Sequence, residues 1–502
     1  MTIDAARPSP LYQRLADELS SLIRRGQLTA GERLPSVRRM ATQRRVSVST
    51  ALQTLRTLEC AGLVEARPQS GYFVRPRPRQ VDEPSTSGPP TEARFVGISG
   101  MVARVRAAAL DPAIVGLGTA TPAPELFPAR RLQRITASVV RRHPAQLTTY
   151  RFDPGNAAFR HQLSRRYLEW GVGIAENEFV VTIGCTEAVA LALRAVAAPG
   201  DTVALESPSY YGTLQTIETM GLKVIEIPTH PREGISLEAL DVAIRHHDVK
   251  AVLLMANVSN PLGSIMPDER KRSLVATLEA RGIPIIEDDI YGDLHFDPPR
   301  PLPLKAFESN GGVILCSSFS KSLAPGLRVG WIAPGKYLAK VELLKFVNTL
   351  TTPETPQLVL ADFLAQGGYD HHLRRVRRLF AGQVRQISDA VAGCFPEGTR
   401  ITRPLGGFVV WAELPGNVDT MQLYDAAVQQ GFTFAPGRLF SASDRYRNCL
   451  RLSCGHPWSE RAAQAIAKLG RLVGEAGPRM PDRALVSNET RTDRARPPTA
   501  ER

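Results

Sequence analysis

The chain has 502 residues, 43% of them hydrophobic, a formal net charge of +13 and a pI near 9.7. That length exceeds one ordinary domain and allows a large buried core. The charge suits an anionic partner, and with no apolar run near the roughly 18 residues of a spanning helix, no membrane partner is expected. Met1-Thr2-Ile3-Asp4 lacks a basic-then-apolar leader pattern. Cys60, Cys185, Cys316, Cys394, Cys449 and Cys454 are scattered without a Cys-x-x-Cys pair. This argues against a disulfide frame or a metal site and for a reducing, cytoplasmic location.

Residues 8–76 read as a first domain. Leu11, Leu15, Leu19 and Ile23 keep helical spacing, and Gly26 and Gly31 lie past the end of that helix. Leu34-Pro35-Ser36-Val37-Arg38 starts a second helix with Ser36 as its cap. A turn near Arg44–Val46 leads into a third helix from Ser47 to Leu58. Gly62–Ala66 and Gly71–Val74 alternate as two short strands. Three helices and a two-stranded wing predict a winged helix-turn-helix. Residues 1–78 hold 13 arginines, no lysine and 6 acidic residues, a local charge of +7 suited to phosphate contact. The competing reading is a protein-docking module whose arginines form a solvated face.

Residues 77–95 carry proline, glycine and charge without periodicity and are expected to form a flexible linker. From 96 to 474 short apolar runs (180–183, 202–205, 223–227, 251–255, 283–287 and 313–317) alternate with helical stretches such as 186–198, 236–246 and 267–281. The fold class expected is therefore α/β, a mostly parallel sheet with helices on both faces. Residues 475–502 are polar, charged and Pro-rich, and disorder is expected there.

Within the large domain, Ser317–Trp331 is the most informative stretch. It sets Lys321 among Ser318 and Ser320, with Arg328 seven residues downstream. A lysine that condenses with an aldehyde needs its neutral form, which nearby cations favour. Hydroxyls and a guanidinium are the donors a phosphate monoester requires. Ser318-x-x-Lys321 also fits the motif of penicillin-binding enzymes, but no Lys-Thr-Gly or Ser-Asp-Asn follows. Gly184-Cys185-Thr186 follows a strand and opens a helix, a place where backbone N–H groups meet phosphate. Tyr210 follows another strand, placed to stack on a flat ring. Asn260 ends the next strand, and Asp288 with Tyr291 ends the one after. A strand end is where open α/β sheets bind ligands.

Two resemblances follow from these motifs. Residues 10–75, through Leu-Pro-Ser-x-Arg and Gly-Leu-Val-Glu-x-Arg-x-x-Ser-Gly-x-Phe-Val, resemble the GntR family. That implies a double-stranded DNA operator as partner, met by Ser47, Ser49, Thr50 and Gln53 on the recognition helix. Arg33, Ser36 and Arg38 would serve phosphates from the second helix, and Gly71 the wing. Val48 and Leu52 stand where many members have arginines. Residues 110–470 resemble fold-type-I aminotransferases, which implies pyridoxal 5'-phosphate (PLP) as cofactor and a small C-terminal subdomain. By that resemblance Lys321 holds the aldehyde and Asp288, spaced as Asp-x-x-Tyr, meets the pyridine nitrogen. Asn260 and Tyr291 meet the phenolic oxygen; Gly184, Cys185, Thr186, Ser318, Ser320 and Arg328 hold phosphate. Arg451 would clamp a substrate α-carboxylate, and Tyr150 would reach the phosphate of a neighbouring subunit's cofactor. The segment Gly118–Pro128 resembles the arm that covers substrate, but lacks the Gly-Gly-Leu-Pro of many relatives.

A GntR-like reader joined to an aminotransferase-like domain resembles the MocR regulators, which implies a homodimer that senses PLP or an amine or amino acid adduct of it. Two other readings stay open at this point. One is a working α-amino acid aminotransferase with a DNA-binding appendage; the other is a DNA-binding protein whose large domain is a scaffold without cofactor.

Overall fold

A computed structural model of the chain describes residues 10–67, 70–75, 79, 81–89, 92–416 and 418–476. Helix α1 (Leu11–Arg24) buries Ala16, Leu19 and Ile23 against α2 (Val37–Arg44) and α3 (Val48–Cys60). Ser36 Oγ accepts the Arg39 N–H at 3.3 Å and Ser47 Oγ that of Thr50 at 3.0 Å, so each cap satisfies a donor left orphaned at its helix start. Arg45, in left-handed conformation at φ 52°, makes the turn between α2 and α3. Strands β1 (Val64–Arg67) and β2 (Gly71–Val74) pair antiparallel with Val64 opposite Val74, and both valines close the small core. The winged helix-turn-helix read from the sequence is present.

The large domain is built on a nine-stranded sheet. Its main strands are β3 (Arg94–Phe95), β4 (Val180–Thr182), β5 (Thr202–Ser207), β6 (Lys223–His230), β7 (Val249–Leu254), β8 (Ile285–Asp288), β9 (Val313–Ser318) and β10 (Gly330–Ala333). They lie in the order β3-β6-β5-β7-β8-β9-β10-β4. The run β6-β5-β7-β8-β9 is parallel; β3 and β10 are antiparallel to their neighbours. Parallel pairing needs crossovers, and helices α4 (Cys185–Val196), α5 (Leu237–His246) and α6 (Asp268–Ala280) supply three of them. Apolar residues on the two faces of the strands pack into separate clusters, Val203 and Leu205 on one and Ala204 and Val252 on the other, as a doubly covered sheet requires. A long helix, α7 (Gly368–Cys394), leads to a four-stranded sheet of β11 (Arg400–Ile401), β12 (Val409–Glu413), β13 (Ala435–Pro436) and β14 (Cys449–Ser453). No helix among the described residues is long and apolar enough to cross a membrane.

The linker differs from expectation. Residues 77–78, 80 and 90–91 lie outside the described residues, but 81–89 run along the large domain. Val81 is buried, the Ile401 N–H donates to Asp82 O at 2.9 Å, and Ser85 N donates to Glu413 Oε2 at 3.0 Å. Tyr446 Oη bonds Ser87 Oγ at 3.1 Å, and Arg445 Nη1 donates to Gly88 O at 2.7 Å. Arg94 and Phe95 join the sheet as β3. The composition of 77–95 lacks its own periodicity, but its backbone groups find partners more than 300 residues away in sequence, which local patterning cannot reveal. Of the tail expected to be disordered, 475–502, Glu475 and Ala476 end the helix Glu460–Ala476, and residues 477–502 lie outside the described residues.

Candidate cofactor site and nucleic-acid interface

Four strand ends and one turn converge on a cavity of about 130 Å³ lined by Cys185, Thr186, Tyr210, Asp288, Tyr291, Ser320, Lys321 and Arg328. Asp288 is the last residue of β8, and Lys321 lies three residues past β9. Gly184 sits between β4 and α4 at φ +126°, and a Cβ there would lie 2.5 Å from the Arg328 guanidinium, so this position takes no side chain. Arg328 is itself left-handed at φ 53° and donates to Ser320 Oγ at 3.2 Å. Ser318 Oγ accepts the Ser320 N–H at 3.2 Å and shapes the turn between strand and lysine. Together with the first turn of α4, this makes a cationic rim with free backbone donors, suited to a phosphate.

The floor is acidic. Asp288 is buried and accepts from Cys185 Sγ at 3.2 Å and from Ile290 N at 3.2 Å; burial pushes its carboxyl up to about 6. Lys321 Nζ donates to Ala120 O at 2.7 Å and lies 6.0 Å from the Tyr291 ring. Burial first, and then the Arg451 charge, bring its amine down to about 8. Asn260 Nδ2 donates to Tyr291 Oη at 3.4 Å, so both reach one point at the cavity edge. Burial raises the phenol of Tyr291, which stays protonated and a donor. Tyr210 is half-buried between β5 and the following helix, and Gly212 leaves room for its ring, since a Cβ there would lie 2.5 Å from it.

Arg451, on β14, is fully buried. Its Nη1 donates to Asn260 Oδ1 at 3.1 Å and its Nη2 to Gly118 O at 2.5 Å, while Nε has no partner among the described residues. The arm 118–122 therefore lays two carbonyls, Gly118 O and Ala120 O, against the guanidinium and the amine. A buried guanidinium without a carboxylate partner is a strong anion receptor.

The structure thus brings together Gly184, Cys185, Thr186, Tyr210, Asn260, Asp288, Tyr291, Ser318, Ser320, Lys321, Arg328 and Arg451. Tyr150 stands apart: it is 69% exposed and stacks on Phe152 at 5.8 Å, in an aromatic group that continues to Phe346. Sequence reasoning missed two contributors: Arg300 grips the adjacent Asp289 at 2.5 Å, and Tyr369 Oη bonds Ser322 Oγ at 2.7 Å beside the lysine. Cys185, expected at the phosphate, also binds the carboxylate of Asp288 through its thiol. The pattern Asp288-Asp289 signalled that one carboxylate needed a separate cation, but not which one supplied it.

In the reader, Arg33, Ser36, Arg38, Ser47, Ser49 and Gln53 are exposed and Thr50 is half-exposed. Ser47 Oγ lies 2.8 Å from both Ser49 Oγ and Thr50 Oγ1, a hydroxyl cluster at the N-terminus of α3. Gly71 opens β2 at φ +101°, with the Arg33 side chain 3.5 Å from where its Cβ would be.

The residues present fit PLP: an amine brought down to about 8, a buried carboxylate across the cavity from it, two groups converging at one edge and a phosphate cradle closed by Arg328. Residues 135–469 match the aminotransferase class I and II family, and residues 11–74 match the bacterial regulatory proteins of the gntR family. An uncharacterised HTH-type transcriptional regulator of Escherichia coli, YjiR, is 40% identical over 93% of this chain and 99% of its own. The HTH-type transcriptional regulator TauR of Rhodobacter capsulatus is 28% identical over 92% and 96%. Among solved structures, the α-aminoadipate aminotransferase LysN of Thermus thermophilus, complexed with N-(5'-phosphopyridoxyl)-L-leucine, superposes with a TM-score of 0.69 at 29% identity, covering 75% of this chain and 94% of that one. The aminotransferase class I and II fold implies dependence on PLP, and the GntR domain implies binding to DNA. The chain therefore belongs to the HTH-type regulators in which a GntR reader is fused to an aminotransferase class I and II domain, the MocR arrangement.

Proposed function

We propose that this DNA-binding transcription regulator holds PLP on Lys321 and senses either PLP itself or its adduct with an amino acid or amine. The observation that carries this is the pairing of a buried lysine, its amine brought down to about 8, with a buried aspartate on the same chain as a basic winged helix. Bound PLP supplies an electron sink. Asp288 holds a proton at the pyridine nitrogen, Asn260 and Tyr291 orient the phenolic oxygen, and Tyr210 stacks on the ring. Gly184, Cys185, Thr186, Ser318, Ser320 and Arg328 hold the phosphate. Arg451 takes an α-carboxylate once Gly118 O moves off it; the phosphopyridoxyl-leucine in the solved relative is an adduct of this class.

The exposed group Tyr150, Phe152 and Phe346 supports a homodimer, in which Tyr150 reaches the cofactor phosphate of the second copy. Two readers on one dimer gain operator affinity through effective concentration. Arg33, Ser36 and Arg38 would then contact operator phosphates, Ser47, Ser49, Thr50 and Gln53 backbone and bases, and Gly71 the minor groove. PLP alters operator binding only by favouring one arrangement of the two readers. The DNA partner and the thiols that are free among the described residues fit a cytoplasmic protein. A working aminotransferase is the second reading, favoured by the joint presence of Lys321, Asp288 and Arg451. A footprint on the DNA upstream of its own gene, with and without PLP and amino acids, tests the first reading. Protection unchanged by every addition removes the sensor role.

A further inference from the structure

A further charged cavity, of about 700 Å³, lies against α7. Its walls hold five guanidiniums: Arg166, Arg300, Arg374, Arg377 and Arg378. Three carboxylates answer them. Asp293 binds both Arg166 and Arg300, Asp289 binds Arg300, and Asp370 binds Arg166 at 3.1 Å. Among the described residues, five against three leaves a local charge of +2.

The excess sits on one stripe of α7. Residues 374, 377 and 378 are spaced i, i+3 and i+4, so they share a helix face. Arg377 Nε donates to Asp293 O, and Arg378 Nε to Arg374 O, both backbone carbonyls rather than carboxylates. Behind them, the Trp170 ring already carries Arg300 at 3.8 Å and Arg166 at 4.8 Å. Two buried polar atoms at this cavity have no partner among the described residues: Arg166 Nε and His295 Nε2. His295, 2% exposed, places Nδ1 2.8 Å from Asp297 O, so the carbonyl accepts its proton, Nε2 is an acceptor, and Arg166 Nε is the one unpartnered donor of the two. Its imidazole is driven down to about 4, first by burial and then by Arg377, and Arg377 is itself lowered by burial, with Asp293 and Tyr369 opposing the shift and Arg166 and Arg300 adding to it. Among the described residues the three carboxylates pair with Arg166 and Arg300 and form no ion pair with Arg374, Arg377 or Arg378, an electrostatic cost that a bound anion removes.

We propose that this cavity is a binding site for the dianion of a small organic phosphate monoester, separate from the cofactor cradle. The charge of the group matches the excess, and paired guanidinium forks are the donors that such an oxyanion takes best. The half-buried rings of Trp170 and Phe296 at the rim supply an apolar surface for the organic part. The site also has a route inward. Asp293 Oδ2 accepts from Tyr369 Oη at 2.8 Å, Tyr369 Oη bonds Ser322 Oγ at 2.7 Å, and Ser322 adjoins Lys321.

The test is calorimetric titration of the full-length protein with phenyl phosphate and with inorganic phosphate at constant ionic strength. It compares wild type, R374A/R378A and S320A/R328A. The expected result is a site that R374A/R378A weakens at least about tenfold, the loss of charge-assisted hydrogen bonds, and that S320A/R328A leaves intact. R374K/R378K, which keeps charge but not the planar fork, should fall between wild type and R374A/R378A. Phenyl phosphate binding at least as tightly as inorganic phosphate supports an ester ligand. The proposal fails if R374A/R378A binds as wild type, if only S320A/R328A loses binding, or if inorganic phosphate alone binds. It fails equally if R374A/R378A loses only affinity and salt dependence for duplex DNA. Loss confined to S320A/R328A speaks for the cofactor reading and against this site, so the two readings fail separately.

Discussion

The state of the Lys321 amine is the sharpest consequence of the site. An ordinary lysine titrates at 10.5, whereas burial and the Arg451 charge bring this one to about 8. At pH 7 the neutral fraction then rises from roughly 0.03% to roughly 9%, about 300-fold. Since only the neutral amine attacks an aldehyde, PLP should load at neutral pH at a rate that climbs through about pH 8. Replacing Arg451 with methionine removes the largest cause of the shift after burial, so the midpoint should move up towards 10.5; Arg451→Lys, which keeps the charge, should leave it near wild type. The sign for stability follows. Between pH 8 and 10.5 the unfolded chain holds a proton that the folded one has released. Stability therefore rises with pH across that window, and the cost is fully present below it. The assay is the initial rate of the absorbance change on mixing apoprotein with PLP, followed from pH 6 to pH 10. A wild-type midpoint near 10, or coincident midpoints for wild type and Arg451→Met, would refute the reasoning.

Four further outcomes are expected. Asp288→Asn should weaken PLP at least about tenfold in a fluorescence titration, because a charged hydrogen-bond partner of the ring is lost; unchanged affinity would remove Asp288 from the site. Arg38→Ala should weaken binding to all duplexes alike and lower the salt slope by roughly one, measured by anisotropy across salt concentrations. Glu413→Gln should speed proteolytic cleavage within 77–95 several-fold, since Glu413 accepts from both the N–H and the hydroxyl of Ser85; a loose linker would be cut equally in both proteins. Phe346→Asp should shift the sedimentation coefficient to that of a monomer at micromolar concentration, if the exposed aromatic group is the seat of the second copy.

Much of this was legible in the sequence because the chemistry sits where local pattern is strongest. The helical stretches expected at 186–198, 236–246 and 267–281 are observed at Cys185–Val196, Leu237–His246 and Asp268–Ala280, each started near a glycine, serine or proline. Asp288 and Lys321 follow apolar runs that could only be central strands, so their convergence follows from sheet order. Long-range pairing was hidden. Nothing near Val81 or Ser85 announces Ile401, Glu413 or Tyr446, and so a segment without periodicity looked free. The carbonyls that Gly118 and Ala120 place on Arg451 and Lys321 were equally out of reach. Backbone acceptors leave no trace in residue identity.

The central claim is that a cofactor on Lys321 changes how the reader grips DNA. Anisotropy titration of the full-length protein on its own upstream DNA, with and without PLP, in wild type and Lys321→Ala, tests it most directly. PLP is expected to shift the wild-type affinity and to leave Lys321→Ala unmoved. Equal responses in the two proteins, or none in either, would contradict it.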